Sequence, residues 1–173
     1  MQRILVMGVS SGVGKSTFAR RLGESLKLPV YHLDTLFWNP GWLESSPEEF
    51  RARQAALTIH DAWIIEGNYT QTYELRAERA DTIIYLELPL ALCIFRVVRR
   101  WLTNLGRTRP DMGEGCLEKL DWAFLSFIIT TYHNRKRTMV KTLAQFEAKS
   151  PQNRAIHLRG RRAIKKYLQK IQA

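Results

Sequence analysis

Short apolar runs alternate with amphipathic stretches along most of the chain. Arg3-Ile-Leu-Val-Met-Gly8 is a buried strand by this pattern, and Lys15 to Lys27 is a helix with Phe18, Leu22 and Leu26 on one stripe. Pro29 to Asp34 reads as a second strand, Ala62 to Glu66 as a third, and Asp81 to Leu88 as a fourth ended by Pro89. Between the second and third, Ser46-Pro47-Glu48-Glu49 carries the marks of a helix start, with Ser46 as cap, Pro47 at the first position and Glu49 completing a capping box. Helical spacing returns with Ile94, Val97, Trp101 and Leu105. Gly106 to Cys116 holds three glycines and a proline and is a loop. A long helix is expected from Leu117 to about Lys149, then a brief strand over Ala155–Leu158. A last helix follows Gly160, with Ile164, Tyr167, Leu168 and Ile171 on its apolar face. Strands alternating with helices predict parallel pairing and a sheet covered on both faces. The expected fold is α/β, a three-layer sandwich around five parallel strands.

No repeat, low-complexity tract or flexible linker divides the 173 residues, so a single domain is expected, with a lid insertion at about 96–140. Hydrophobic residues at 45% and charged residues at 25% exclude a disordered or fibrous chain. Cys93 and Cys116 are too few for a disulfide framework. The longest apolar stretch is interrupted by Glu87 and Pro89, and no export signal opens the chain, so a cytoplasmic protein without membrane contact is expected.

Charge is distributed unevenly. Residues 1–95 carry nine Lys/Arg against eleven Asp/Glu, a net of −2, whereas residues 96–173 carry eighteen against five, a net of +13. Such asymmetry suits a polyanionic small molecule or a nucleic-acid surface.

Gly8-Val-Ser-Ser-Gly-Val-Gly-Lys-Ser-Thr17 lies between the first strand and first helix, where backbone N–H groups and a helix N-terminus converge on phosphate. The standard phosphate loop has its first glycine where Val9 stands; Gly8 comes one place early. Gly12, Val13, Gly14, Lys15, Ser16 and Thr17 are the expected ATP-binding residues, with Lys15 on the β- and γ-phosphates and Ser16 on Mg²⁺. Asp34 and Glu66 end two strands, where open parallel sheets collect ligands. Asp34 is expected to orient or deprotonate an acceptor hydroxyl, or to hold Mg²⁺ through water, and Glu66 to serve the metal. Arg96, Arg99 and Arg100 share one helical face. Arg107 and Arg109 lie at the glycine-rich loop, and Arg135 and Arg137 follow on the long helix. Phosphoryl transfer uses such cations to neutralise charge. His32, His60, His133 and His157 have no metal-ligand spacing.

His32-Leu-Asp34, Trp38…Pro40-Gly-Trp42, Trp63-Ile-Ile-Glu-Gly-Asn-Tyr69 and Thr108-Arg-Pro-Asp-Met-Gly-Glu-Gly-Cys116 together resemble the bacterial topology-modulation proteins. These are adenylate-kinase-related P-loop proteins, and the likeness covers roughly residues 1–150. It implies a nucleoside-monophosphate-kinase-like fold, ATP binding and a mobile lid after the fourth strand. Glu66-Gly67 is similar to the Asp-Gly pair of adenylate kinases, but Asn68-Tyr69 replaces the Phe-Pro-Arg that follows there.

The expected activity is therefore an ATP- and Mg²⁺-dependent kinase acting on a small-molecule acceptor, nucleotides included. Lys15, Asp34, Arg96, Arg100 and Arg135 are its catalytic candidates. Asp34, Trp38, Glu66, Asn68, Tyr69, Arg107 and Arg109 are candidates for the acceptor side, and Ser16 and Glu66 for the metal. The competing class is a nucleic-acid-binding ATPase or DNA-topology-modulating protein, ranked lower because no nucleic-acid-binding motif is present.

Overall fold

The computed structural model describes Met1–Gln172. Five strands form its central sheet: β1 (Arg3–Gly8), β2 (Val30–His32), β5 (Trp63–Glu66), β6 (Thr82–Glu87) and β7 (Arg154–Arg159), in the order β2-β5-β1-β6-β7. All four pairings are parallel. The helices are α1 (Lys15–Leu26), α2 (Leu33–Phe37), α3 (Pro47–Thr58), α4 (Tyr73–Ala77), α5 (Leu90–Thr103), α6 (Trp122–Lys149) and α7 (Gly160–Gln172). A separate two-stranded hairpin pairs β3 (Trp38–Asn39) with β4 (Leu43–Glu44).

The middle strands are apolar on both faces because helices cover both. Ile4, Val6, Ile64, Ile83 and Ile84 are fully buried, and every residue of β6 is buried. Strand order reverses on either side of β1, so the carboxyl ends of β1, β2 and β5 open on one crevice.

Three elements depart from the expected pattern. The second strand ends at His32, and Asp34 falls in the short α2. The hairpin around Pro40-Gly41-Trp42 has strands of two residues, too short to show a period of two. The long helix begins at Trp122 rather than Leu117, because Leu117 bridges Thr108 and Asp121 caps the helix by accepting the Phe124 N–H at 2.8 Å.

The loop between α5 and α6 packs on that hairpin. The Trp42 Nε1–H donates to the Leu117 carbonyl at 3.0 Å and the Cys116 thiol to the Asn39 carbonyl at 3.3 Å. A Cβ on Gly113 would lie 2.0 Å from the Trp38 carbonyl oxygen, so glycine there permits close packing. Cys116 is buried rather than exposed. No helix among the described residues is long and apolar enough to cross a membrane.

Candidate functional site

The loop after β1 is shaped by two glycines in the left-handed region, Gly12 at φ 79° and Gly14 at φ 97°. A Cβ on Gly12 would sit 2.2 Å from the Cys93 carbonyl, so α5 backs the loop directly. The displaced first glycine has a physical reason. A Cβ on Gly8 would meet Val13 Cγ1 at 2.5 Å and Lys15 Cγ at 2.9 Å, whereas Val9 is fully buried with a negative φ. Gly14 caps α1 without a side chain, leaving the first-turn N–H groups of the helix directed at the cleft.

Lys15 leans toward the sheet, with Nζ 3.9 Å from Glu66 Oε1. The other Glu66 oxygen lies 2.8 Å from His32 Nδ1. Burial opposes charge on His32, but the hydrogen bond and negative charge of Glu66, with Asp111 and Asp34 nearby, raise its pKa overall. Asp34 accepts the Tyr69 hydroxyl at 2.7 Å. Burial and the adjacent Glu66 charge push the Asp34 pKa up, against the opposing pull of Tyr69, Lys15 and Arg109. Tyr69 is itself shifted well upward by burial and by Asp34, so its hydroxyl stays a donor.

The opposite wall comes from α5 and the loop after it. Arg100 Nε donates to Glu118 Oε1 at 2.8 Å, and Arg109 Nε to Glu118 Oε2 at 2.6 Å. Arg109 Nη1 also reaches Asp111 Oδ2 at 2.8 Å. Asp111 lies beside Ser16 in the cleft. Burial raises its pKa, but Arg109 first and then Ser16 bring it below the usual carboxylate range.

Apart from Tyr69 and Glu118, these groups line one cleft of about 1230 Å³ that runs from His32, Asp34 and Glu66, past the loop, to Arg161, Arg162 and Lys165 on α7. Gly12 to Thr17, Lys15, Asp34, Glu66, Arg96, Arg100 and Arg109 are therefore brought together. Tyr69 joins them through Asp34.

Five expected residues stand elsewhere. Arg135 lies over the Phe127 ring, 5.3 Å from its centroid, and is not a cleft residue. Arg107 is exposed outside the cleft, and so is Arg99. Trp38 packs edge-on against Trp42 at 5.3 Å and against Phe37, walling the hairpin rather than the cleft. Asn68 has its side chain committed to structure: it accepts the Gly8 N–H at 3.0 Å and donates to the Gly8 carbonyl at 2.9 Å. Arg96 remains at the cleft but braces the loop, with Nη1 3.2 Å from the Val13 carbonyl.

Two acidic residues of the site, Asp111 and Glu118, were not among the expected set. Asp111 had one signal, its place between the loop arginine Arg109 and the glycines; Glu118 had none.

Oxygen donors suited to Mg²⁺ are present at the loop. Glu66 is paired with Lys15 and His32, and Asp111 with Arg109; of the two carboxylates Asp111 is the one beside the Ser16 hydroxyl. No cluster of three or more His, Cys, Asp or Glu that could hold a metal occurs among the described residues.

The sequence matches no protein-family model and no curated protein. Solved structures do match. Gluconokinase from Sinorhizobium meliloti 1021 superposes with a TM-score of 0.55 at 14% identity, covering 98% of this chain and 89% of that one. Shikimate kinase from Acinetobacter baumannii, solved with shikimate, gives 0.53 at 18% identity over 99% and 91%. Shikimate kinase from Aquifex aeolicus gives 0.53 at 16% over 98% and 93%. The chain has the P-loop kinase fold, of the nucleoside-monophosphate-kinase-like type.

Proposed function

We propose that the protein is a P-loop phosphotransferase that moves the γ-phosphate of Mg-ATP to a hydroxyl of a small molecule. One observation carries this reading: a single cleft holds a phosphate loop and, beside it, a carboxylate with a raised pKa, Asp34. An ATPase needs the first; a kinase needs both. Asp34 accepts the proton of the attacking hydroxyl, and its raised pKa makes it a better base than an ordinary aspartate. Tyr69 holds that carboxyl in place. Lys15 and the loop N–H groups bind the donor phosphates, while Arg100 and Arg109 face the transferring group. Ser16 and Asp111 would hold Mg²⁺, which when bound neutralises charge on the phosphate oxygens. The segment from Gly106 to Glu118, within the proposed lid of about 96–140, shields the cleft from water and favours transfer over hydrolysis.

The neighbouring folds bear the names of small-molecule kinases, which supports a small-molecule acceptor over nucleic acid. The motif Thr108–Cys116 supports a closer kinship with the topology-modulation proteins. A cytoplasmic site of action, with ATP drawn from that pool, is part of the same proposal.

The test follows labelled γ-phosphate from ATP across polyols, hydroxy acids, nucleosides and nucleotides. We expect one class to accept label, and Asp34→Asn to stop that transfer while keeping ATP bound. Label released only to water, at a rate no acceptor changes, contradicts the reading.

A further inference from the structure

Glu118 is the least exposed charged group on the lid side, its side chain only 3% accessible. It does not line the cleft, yet each of its oxygens grips an arginine that does. Both arginines are held at Nε. That leaves both terminal nitrogens of Arg100 and one of Arg109 without a hydrogen-bond partner among the described residues, on two side chains that line the cleft. The backbone of Glu118 is fixed as well, its N–H donating to the Arg107 carbonyl at 3.0 Å.

Two guanidinium groups this close repel. Arg109 is among the charges that depress the pKa of Arg100, and Glu118 opposes that effect. A carboxylate between them offsets the repulsion and restrains both planes, because a planar guanidinium bonded at its Nε edge still has N–H donors on its other edges. Asp111, unlike Glu118, lines the cleft, so a phosphate entering it faces walls that include Arg100 and Arg109 but not Glu118.

We infer that Glu118 is a positioning residue: it holds Arg100 and Arg109 as a preformed pair aimed at the phosphoryl group in transfer, without touching that group itself. The inference rests on the kinase reading and extends it to a residue outside every sequence motif. Preorganised cations matter most where charge spreads in the transition state. The Glu118 effect therefore falls on transition-state binding and spares the ground state.

The experiment compares the affinities of Mg-ADP and of Mg-ADP with aluminium fluoride, a mimic of the transferring phosphoryl group, for the full chain and its variants. Glu118→Gln keeps the shape but presents an N–H to one arginine. It should weaken the fluoride complex on the order of 30-fold, and Mg-ADP by less than about threefold. In an Arg100→Ala/Arg109→Ala background the same change should leave the ratio of the two affinities unaltered. Glu118→Asp covers a failure of Glu118→Gln to fold; it retains the charge on a shorter arm, and again only the fluoride complex should weaken. Equal weakening of both ligands, or an unaltered ratio in the parent background, makes Glu118 structural and overturns the inference alone. A parent protein that binds neither ligand overturns the kinase reading with it.

Discussion

The two walls of the cleft are built by different means. On the donor side, Gly12 and Gly14 bend the chain so that backbone N–H groups and a helix end face the ligand, and side chains contribute little beyond Lys15. On the lid side the backbone supplies almost nothing. Arg100, Arg109, Asp111 and Glu118 form a chain of charge pairs drawn from α5, the loop and the approach to α6. A backbone cradle is specified by local geometry and binds any phosphate chain. A charge network is specified by distant partners, and it is the part able to discriminate between the ground and transition states.

Substitutions separate the two walls. Arg100→Ala should show the largest effect, lowering transfer about 10³-fold, with ATP affinity reduced only modestly. Steady-state kinetics with the identified acceptor checks this, and a loss confined to ATP binding would place Arg100 on the donor wall instead. Gly12→Ala places a Cβ against the Cys93 carbonyl at positive φ. Strain and overpacking together should cost about 3 kcal/mol of stability, read from urea unfolding. Lys15→Ala should weaken Mg-ATP about 100-fold, through loss of charge-assisted bonds, with the fold intact by circular dichroism.

Smaller effects concern pH. Asp34 must be ionised to accept a proton, and its pKa lies above the ordinary aspartate value, so activity should rise with pH through a limb displaced upward. The Tyr69 hydrogen bond lowers that pKa. Tyr69→Phe should therefore move the limb to still higher pH, and a pH–rate profile that does not move removes Tyr69 from the acceptor site. The smallest effect is on stability. The folded pKa of His32 is raised, so its contribution is full below the unfolded value of 6.5 and is lost as pH rises through the folded one. His32→Gln should flatten the pH dependence of urea unfolding in that window.

The same division governs what the sequence reveals. β1, the phosphate loop and α1 are contiguous, so their glycine spacing and apolar period are readable in one pass. The Ser46 cap is local too, and its Oγ accepts the Glu49 N–H at 3.1 Å as the pattern predicts. The other half of the expected capping box is absent, because the Glu49 side chain pairs with Arg53 instead. Asn68 follows Glu66-Gly67 in sequence, which points to the acceptor side, whereas its side chain bonds to Gly8, 60 residues away. Arg135 stands out in the sequence by its charge, and nothing in the helical period says that it turns toward Phe127. Glu118 pairs with Arg100 across 18 residues and a loop, a link that no periodicity records.

The account stands on the claim that the backbone from Gly12 to Thr17 cradles the donor phosphates. Amide resonances of these residues, followed by nuclear magnetic resonance during titration with Mg-ATP, test that claim most directly. They should shift together along a saturable one-site curve, and the shifts should vanish in Lys15→Ala at the same ligand concentration. Amides that stay in place while ATP binds, or that move identically in Lys15→Ala, would contradict it.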